Sequence, residues 1–158
     1  MKKLLAVLMV LSLAAVSFAA LAENEPAVQP APDPDPYSGV WECDRATAEI
    51  VWEEEGYRVQ ISWGSSAWET TTWEYSCYYH EDDGTIVSMP FGSRTEWVYD
   101  DSGEVVSAKT VYDDGVSVFS LDQEGRLIWQ DEKENAGEGM RFEQTVITDA
   151  VFDPEENG

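Results

Sequence analysis

Apart from its many carboxylates, this chain has few residues that could do chemistry. Its one histidine, His80, stands beside the acidic turn Glu81-Asp82-Asp83, so we expect an exposed turn residue rather than a catalytic base. Carboxylate pairs are so frequent that their spacing nominates no glycosidase pair, which needs two side chains at a defined separation in a cleft. The HExxH, Cys-x-x-Cys, Gly-x-Ser-x-Gly and phosphate-loop motifs are all missing. We therefore predict no catalysis, no cofactor and no metal site.

The aromatic side chains suggest binding instead. Seven Trp and seven Tyr are present, and many fall at positions that we predict to point into a barrel. One interpretation is a pocket at the barrel mouth for a small hydrophobic or planar ligand, with an arginine orienting any acid group. The other is that the rings simply fill a small core. The predicted ligand-binding residues are Trp63, Trp73, Tyr75, Tyr79, Trp97 and Trp129, with Arg58 or Arg94 as the basic group.

The chain has two cysteines, Cys43 and Cys77. In an exported protein one disulfide is the economical interpretation. It would close a loop of roughly 35 residues and add about 3 to 4 kcal/mol of stability. Two buried thiols are an alternative, whereas a metal pair has too few ligands.

The first part of the sequence is typical of a secretory signal peptide over residues 1–22. Lys2 and Lys3 precede an apolar run, and small residues lead up to Ala22. A transmembrane anchor is the alternative. We predict cleavage near Ala22, secretion to the cell envelope or the extracellular space, and no stable insertion into a membrane.

The remaining chain divides into three parts by composition. Residues 23–36 form a Pro-rich acidic spacer, which is either a stalk or a disordered mature terminus. Residues 37–152 are long enough for one domain with one core. Residues 153–158 are predicted to be a disordered tail.

The net charge restricts the possible partners. The chain carries −23, and loss of the two signal-peptide lysines makes the mature form −23 − 2 = −25. Such a field repels nucleic acid and anionic membranes, and it favours a cationic protein, metal cations or plain solubility. We therefore expect no nucleic-acid partner, and a cationic protein is one possible partner.

The main secondary-structure signal is the alternation of apolar and polar residues along the chain. Over residues 57–63 the residues Tyr57, Val59 and Ile61 share one face, as in a half-buried strand. Short acidic turns ending in glycine, including Asp113-Asp114-Gly115, separate such stretches and force neighbouring strands to pair antiparallel. We predict an all-β, antiparallel up-and-down meander of about eight strands closed into a barrel, with an open single-layer sheet as the alternative. The other alternating stretches are 40–53, 67–80, 85–89, 94–100, 104–112, 116–121, 126–131 and 140–148.

The run Gly39-Val40-Trp41 resembles the Gly-x-Trp opening of the lipocalin and calycin group. Thr95-Glu96-Trp97 is similar to a degraded form of that group's Thr-Asp-Tyr motif. The resemblance implies a lipocalin-like barrel in which Gly39 and Trp41 are structural and a basic residue packs over the Trp. Arg141 matches that role, with Arg126 in reserve. Residues 132–139, where the group has a helix, are charged and glycine-rich, so we predict a loop there.

Two further hypotheses involve proteins as partners. The run Trp41-Glu42-Cys43-Asp44-Arg45 resembles a segment of small barrel-shaped inhibitors of lysozyme, which implies an acidic inhibitor of a cationic enzyme. Its nearest counterpart to the inhibitory loop is Gly64-Ser65-Ser66-Ala67. A surface protein-interaction module would instead expose an aromatic patch, formed by Trp68, Tyr78 and Phe91.

Overall fold

The computed structural model describes residues 31–145, which form one antiparallel sheet of ten strands. The predicted signal peptide, residues 23–30 of the spacer, residues 146–152 and the predicted tail lie outside the described residues. No helix long and apolar enough to cross a membrane occurs within residues 31–145. The strands are β1 (Gly39–Cys43), β2 (Ala46–Glu53), β3 (Gly56–Gly64), β4 (Glu69–His80), β5 (Thr85–Ser88), β6 (Gly92–Tyr99), β7 (Val105–Gly115), β8 (Ser117–Leu121), β9 (Leu127–Asp131) and β10 (Glu143–Gln144).

Eight of these strands follow one hydrogen-bonded path. The order is β10-β1-β2-β3-β4-β5-β8-β9, and the sheet curls strongly around its buried face. The predicted all-β antiparallel meander of about eight strands is therefore confirmed. The curl follows from the right-handed twist of paired strands, which brings the two ends of a long sheet towards each other.

The predicted closure into a barrel is wrong, and the sheet is an open half-barrel. Within residues 31–145 no ladder joins β9 directly to β1. β10 makes only two pairs with β1, of which one is Trp41 with Gln144, and Phe142 adds a single bridge to Leu127 of β9. The contact between β10 and β1, which we call the seam, stays short because only two residues after the 132–141 connection are paired as a strand. Gly39 faces this seam, where a β-carbon would lie 2.8 Å from the side-chain nitrogen of Gln144.

Alternation gives the sheet its buried face. Tyr57, Val59 and Ile61 of β3 are at most 2% exposed, as are Ala48 and Ile50 of β2. Side chains of the other parity are more exposed, so the predicted buried face of β3 is confirmed, and β2 shows the same alternation. Fully burying an apolar side chain of this size contributes about 1.5 to 3 kcal/mol, so this face stabilises the curl.

A hairpin leaves the main path, and we call the hairpin Gly92–Gly115, formed by β6 and β7, the wing. β4 has twelve residues, and its first half pairs with β6 whereas its second half pairs with β5. β5 then pairs with β8. The predicted turn Asp113-Asp114-Gly115 is the end of β7 and not a separate turn.

Residues 132–139 form turns, as predicted, and not a helix. The buried carboxylate of Asp131 organises them, because it accepts hydrogen bonds from the backbone N–H groups of Lys133, Glu134 and Ala136 at 3.0 to 3.2 Å. Each bond gives an acceptor to a backbone N–H group that would bind a backbone carbonyl in a helix.

Candidate functional site

Three of the predicted ligand-binding residues pack against one another inside the curled sheet. The ring of Trp73 lies 6.3 Å from that of Trp63 and 5.1 Å from that of Trp129, the second pair edge to face. The Trp73 Nε1 donates to the Tyr112 hydroxyl at 3.1 Å, and the Trp129 Nε1 donates to the Ser117 hydroxyl at 3.0 Å. With both indole donors satisfied, this cluster is a well-packed end of the core.

Arg94 joins this cluster from the wing. Its guanidinium carbon lies 5.6 Å from the Trp73 ring centre, and its charge is balanced by Glu96 at 2.9 Å and Glu134 at 3.3 Å. The Nε atom is buried without a hydrogen-bond partner among the described residues. The cation–π contact and the two carboxylates hold the guanidinium in place over the ring.

Two predicted tyrosines lie further along β4. Tyr75 is buried with its ring 5.8 Å from that of Phe119, and burial raises the pKa of its hydroxyl far above the ordinary value. Tyr79 is half-buried near the turn at Gly84. Because side chains of one parity are spaced along the strand, Tyr79 lies well away from Trp73.

Trp97 and Arg58 lie on the outer face of the sheet and do not join the cluster of Trp63, Trp73 and Trp129. Trp97 is paired with Thr70, and its Nε1 donates to the Thr72 hydroxyl at 2.9 Å. Arg58 forms an ion pair with Glu53 at 2.9 Å. The alternation of β6 predicts two faces but cannot tell which of them pairs with the inner residues of β4.

Four surface grooves in the described part of the chain have volumes of about 260 to 360 Å³, and each of these four includes at most two of the predicted ligand-binding residues. One of about 280 Å³ on the outer face combines Arg58 and Tyr75 with the exposed ring of Phe91. The clustered tryptophans Trp63, Trp73 and Trp129 line no common groove among these four.

Neither of the two arginines expected to pack over Trp41 does so in the described part of the chain. Trp41 is 1% exposed, and its Nε1 donates to the Tyr37 carbonyl at 2.8 Å. Arg141 is exposed and approaches Asp122 at 4.0 Å instead. Arg126, the reserve, binds the same Asp122 at 2.8 Å. The Asp122 side chain is only 16% exposed, and its carboxylate lies within ion-pair distance of both arginines.

The predicted disulfide is not confirmed, because Cys43 and Cys77 are free thiols in the structure. Three strand pairings separate the two cysteines. Cys43 of β1 pairs with Ala46 of β2, Ala46 pairs with Trp63 of β3, and Trp63 pairs with Thr71 of β4. Cys77 lies six residues beyond Thr71 on β4, about 20 Å along the strand. A disulfide needs α-carbons within about 7 Å. Burial raises the pKa of the Cys77 thiol to about 12.

The end of the spacer docks onto the half-barrel. Asp35 Oδ1 accepts hydrogen bonds from the Tyr57 hydroxyl at 2.7 Å and from the N–H groups of Tyr37 and Ser38 at 2.9 and 3.3 Å. Burial alone would raise the pKa of Asp35, but these hydrogen bonds outweigh burial and lower it. Burial raises the pKa of Tyr37 to about 12, and its hydroxyl donates to the Gly84 carbonyl at 2.5 Å. Sequence reasoning missed this anchor because it placed residues up to 36 in the spacer.

His80, the single histidine, is exposed at the end of β4, and its Nδ1 lies 3.2 Å from Asp83 Oδ1. No group of three or more His, Cys, Asp or Glu side chains is arranged to hold a metal ion within residues 31–145. Trp68, Tyr78 and Phe91 are 47%, 40% and 59% exposed, as predicted. Trp68 and Tyr78 lie near opposite ends of β4, so the three do not form one patch.

The outer strand of the wing, β7, is exposed on both faces. Every residue from Val105 to Val111 is exposed, and Val105 and Val106 are 51% and 60% exposed. Among the described strands only β6 pairs with β7, so one edge of β7 is free in this part of the chain. Sequence reasoning missed this edge because alternating residues at 104–112 indicate one buried face.

The register identifies the free backbone groups. The Tyr99 N–H donates to the Trp68 carbonyl beside β4 at 2.8 Å. Since backbone groups alternate along a strand, Val98 and Glu96 point to β7, where they face Ser107 and Lys109.

The intervening β7 residues, Ala108 and Thr110, therefore direct their N–H and C=O groups away from β6. The pairing is regular between Thr95 with Thr110 and Val98 with Ser107, and irregular on either side. This regular run of β7 can accept another strand.

Comparison of the chain with models of protein families, with curated proteins and with solved structures finds no match.

Proposed function

We propose that this protein is a secreted protein-interaction module that binds an extended segment of a partner protein along the free edge of β7. The observation that supports this is the exposure of β7 on both faces together with its outward backbone groups. An extended segment added to such an edge gains main-chain hydrogen bonds with Ala108 and Thr110, and it packs side chains against the exposed valines. Proteins that avoid such pairing have short, charged or covered edges.

β7 has few of those protective features. It has eleven residues, and Lys109 is the one basic residue among them. Val105, Val106 and Val111 stay solvated, although burying a valine contributes about 1.5 kcal/mol or more. A partner strand lying along β7 would bury part of these valine side chains.

Amide hydrogen exchange tests the proposal residue by residue. The probe is a synthetic peptide whose centre alternates threonine and valine and whose ends carry lysines. In the free protein the amides of Ala108 and Thr110 exchange fast, whereas those of Ser107 and Lys109 are protected by β6. With the peptide present, Ala108 and Thr110 become protected and the other two stay unchanged. Binding that leaves Ala108 and Thr110 fast would contradict strand addition.

A backbone variant gives the matched control. Ala108→Pro removes an N–H that points away from β6, so the wing keeps its own pairing, as edge prolines do. We expect about a ten-fold loss of peptide affinity, the loss expected for about 1.4 kcal/mol. Ala108→Ser keeps the N–H and should bind as the unchanged protein does. Equal binding by all three proteins would overturn the proposal.

Binding of a small planar ligand is a second candidate, and the outer groove of about 280 Å³ favours it. That groove brings together Arg58 and Tyr75 of the predicted set with Phe91, whose ring is 59% exposed. The lipocalin-like assignment belongs to this candidate, since a curled all-β sheet is compatible with it. Native mass spectrometry of the mature, unreduced protein from its own host should show a retained small molecule that Phe91→Ser loses. A bare chain would reject this candidate.

A further inference from the structure

Acidic residues border the free edge of β7 at both ends. At its start the turn between β6 and β7 carries Asp100, Asp101 and Glu104, and none of the three forms an ion pair among the described residues. Asp101 and Glu104 are exposed. The Asp100 carboxylate accepts hydrogen bonds from the Ser102 hydroxyl and from nearby backbone N–H groups, which lower its pKa. The Asp100 carboxylate therefore stays ionised at lower pH than an ordinary aspartate.

The other end of β7 is less negative. Asp113 and Asp114 are both exposed, but Asp114 forms an ion pair with Lys133. In the middle, Lys109 lies opposite Glu96 of β6. The excess of negative charge along β7 is therefore concentrated at the turn from Asp100 to Glu104.

A second copy of this chain is a poor occupant of the edge. Antiparallel pairing of two β7 strands would place the Asp100–Glu104 turn of one copy beside Asp113 and Asp114 of the other. Parallel pairing would place each acidic turn beside its own counterpart. Like charges brought together in this way are destabilising, and the net charge of −23 adds to the repulsion.

We infer that the edge of β7 takes a basic extended segment, with lysine or arginine at the end that lies beside the Asp100–Glu104 turn. This inference rests on the proposed strand addition and adds the chemistry of the partner. The main-chain hydrogen bonds of Ala108 and Thr110 supply binding without regard to sequence, whereas the acidic turn selects the partner by charge and sets its register. A cationic enzyme that presents such a segment fits this chemistry.

The test compares three peptides with the same alternating threonine and valine centre. The first has lysines at its ends, the second has glutamines there, and the third has the lysines but N-methylated central amides. We expect the lysine peptide to bind about five-fold more tightly than the glutamine peptide, with a difference that disappears at high salt. The N-methylated peptide should bind at least ten-fold more weakly than the first.

The protein variants separate the two ideas. The double variant Asp101→Asn with Glu104→Gln should lose the preference for peptides with lysine ends. The control variant Glu54→Gln with Glu55→Gln, at exposed positions in the β2–β3 turn, should keep that preference. Equal affinity for lysine and glutamine ends, with N-methylation still harmful, would overturn the charge inference and leave strand addition standing. Equal affinity for the N-methylated peptide would overturn strand addition itself.

The full chain alone provides the last check. Protection of Ala108 and Thr110 without any peptide would mean that the chain covers its own edge, and this result would overturn the inference. Protection that grows with protein concentration would identify a second copy as the occupant, whereas protection independent of concentration would identify a segment of the same chain. Fast exchange of both amides at all concentrations supports a separate partner.

Discussion

The hydrogen bond between Tyr57 and Asp35 should hold the end of the spacer on the half-barrel. Tyr57→Phe removes a hydroxyl that lies 2.7 Å from Asp35 Oδ1, while the N–H groups of Tyr37 and Ser38 still bind that oxygen. A hydrogen bond to a charged group contributes about 1.5 to 3 kcal/mol. Asp35 is partly exposed, so we expect about 1 to 2 kcal/mol. For a domain of this size that corresponds to a fall in Tm of roughly 5 °C.

A double-mutant cycle measures this interaction. Unfolding in urea, followed by tryptophan fluorescence, gives the free energy of unfolding for Tyr57→Phe, Asp35→Asn and the double variant. The coupling at pH 7 should be about 1 to 2 kcal/mol. Tyr78→Phe is the control, because the Tyr78 side chain is 40% exposed, and such a change stays within about 0.5 kcal/mol.

The pH dependence has a definite sign. Because the pKa of Asp35 is lower in the folded chain than its ordinary 3.8, its charge stabilises the fold at neutral pH. This stabilisation is lost as the pH falls through the lowered pKa. The coupling between Tyr57 and Asp35 should therefore shrink in strong acid. A coupling near zero at pH 7, or one that does not change in acid, would refute the reasoning.

Further predictions concern the thiols and the core. Native protein should react with a thiol reagent at Cys43, which is partly exposed, and not at Cys77, whose pKa is raised to about 12 by burial, whereas unfolded protein should react at both. No reaction before reduction would show that a disulfide forms after all. Trp73→Ala should cost about 3 to 5 kcal/mol in unfolding free energy, because it removes the ring between two others. Trp68→Ala, at a side chain 47% exposed, should cost less than about 0.5 kcal/mol, and a similar loss at both positions would contradict the assigned core.

The sequence predicted the faces of individual strands well, because burial on one side imposes a period of two. Tyr57, Val59 and Ile61 illustrate this in β3. Turn residues were also informative, since Gly84 and Gly103 have φ values of 70° and 81°, which glycine adopts without strain. These signals are local, and each depends on residues close together in the chain.

Features that depend on register between distant strands were not predictable in this way. The separation of Cys43 from Cys77 follows from three successive strand pairings. The spacing of residues in the sequence does not reveal the register of any of them. The position of Trp97 on the outer face follows from its pairing with Thr70. The wing exists because β4 is long enough for two strands to share one of its edges, and alternation in β6 and β7 is the same whichever strand they join.

The short seam also has a consequence for how the chain reaches its fold. The Gln144 side chain donates to the Ser38 carbonyl at 3.1 Å, across a sequence separation of 106 residues. Closing a loop of that length is entropically costly, and contacts so distant slow folding. β1 can pair with β2 as soon as both have emerged during synthesis, but its other edge stays open until β10 arrives. The sheet is therefore completed last where β10 pairs with β1, and folding should be slowest at this step.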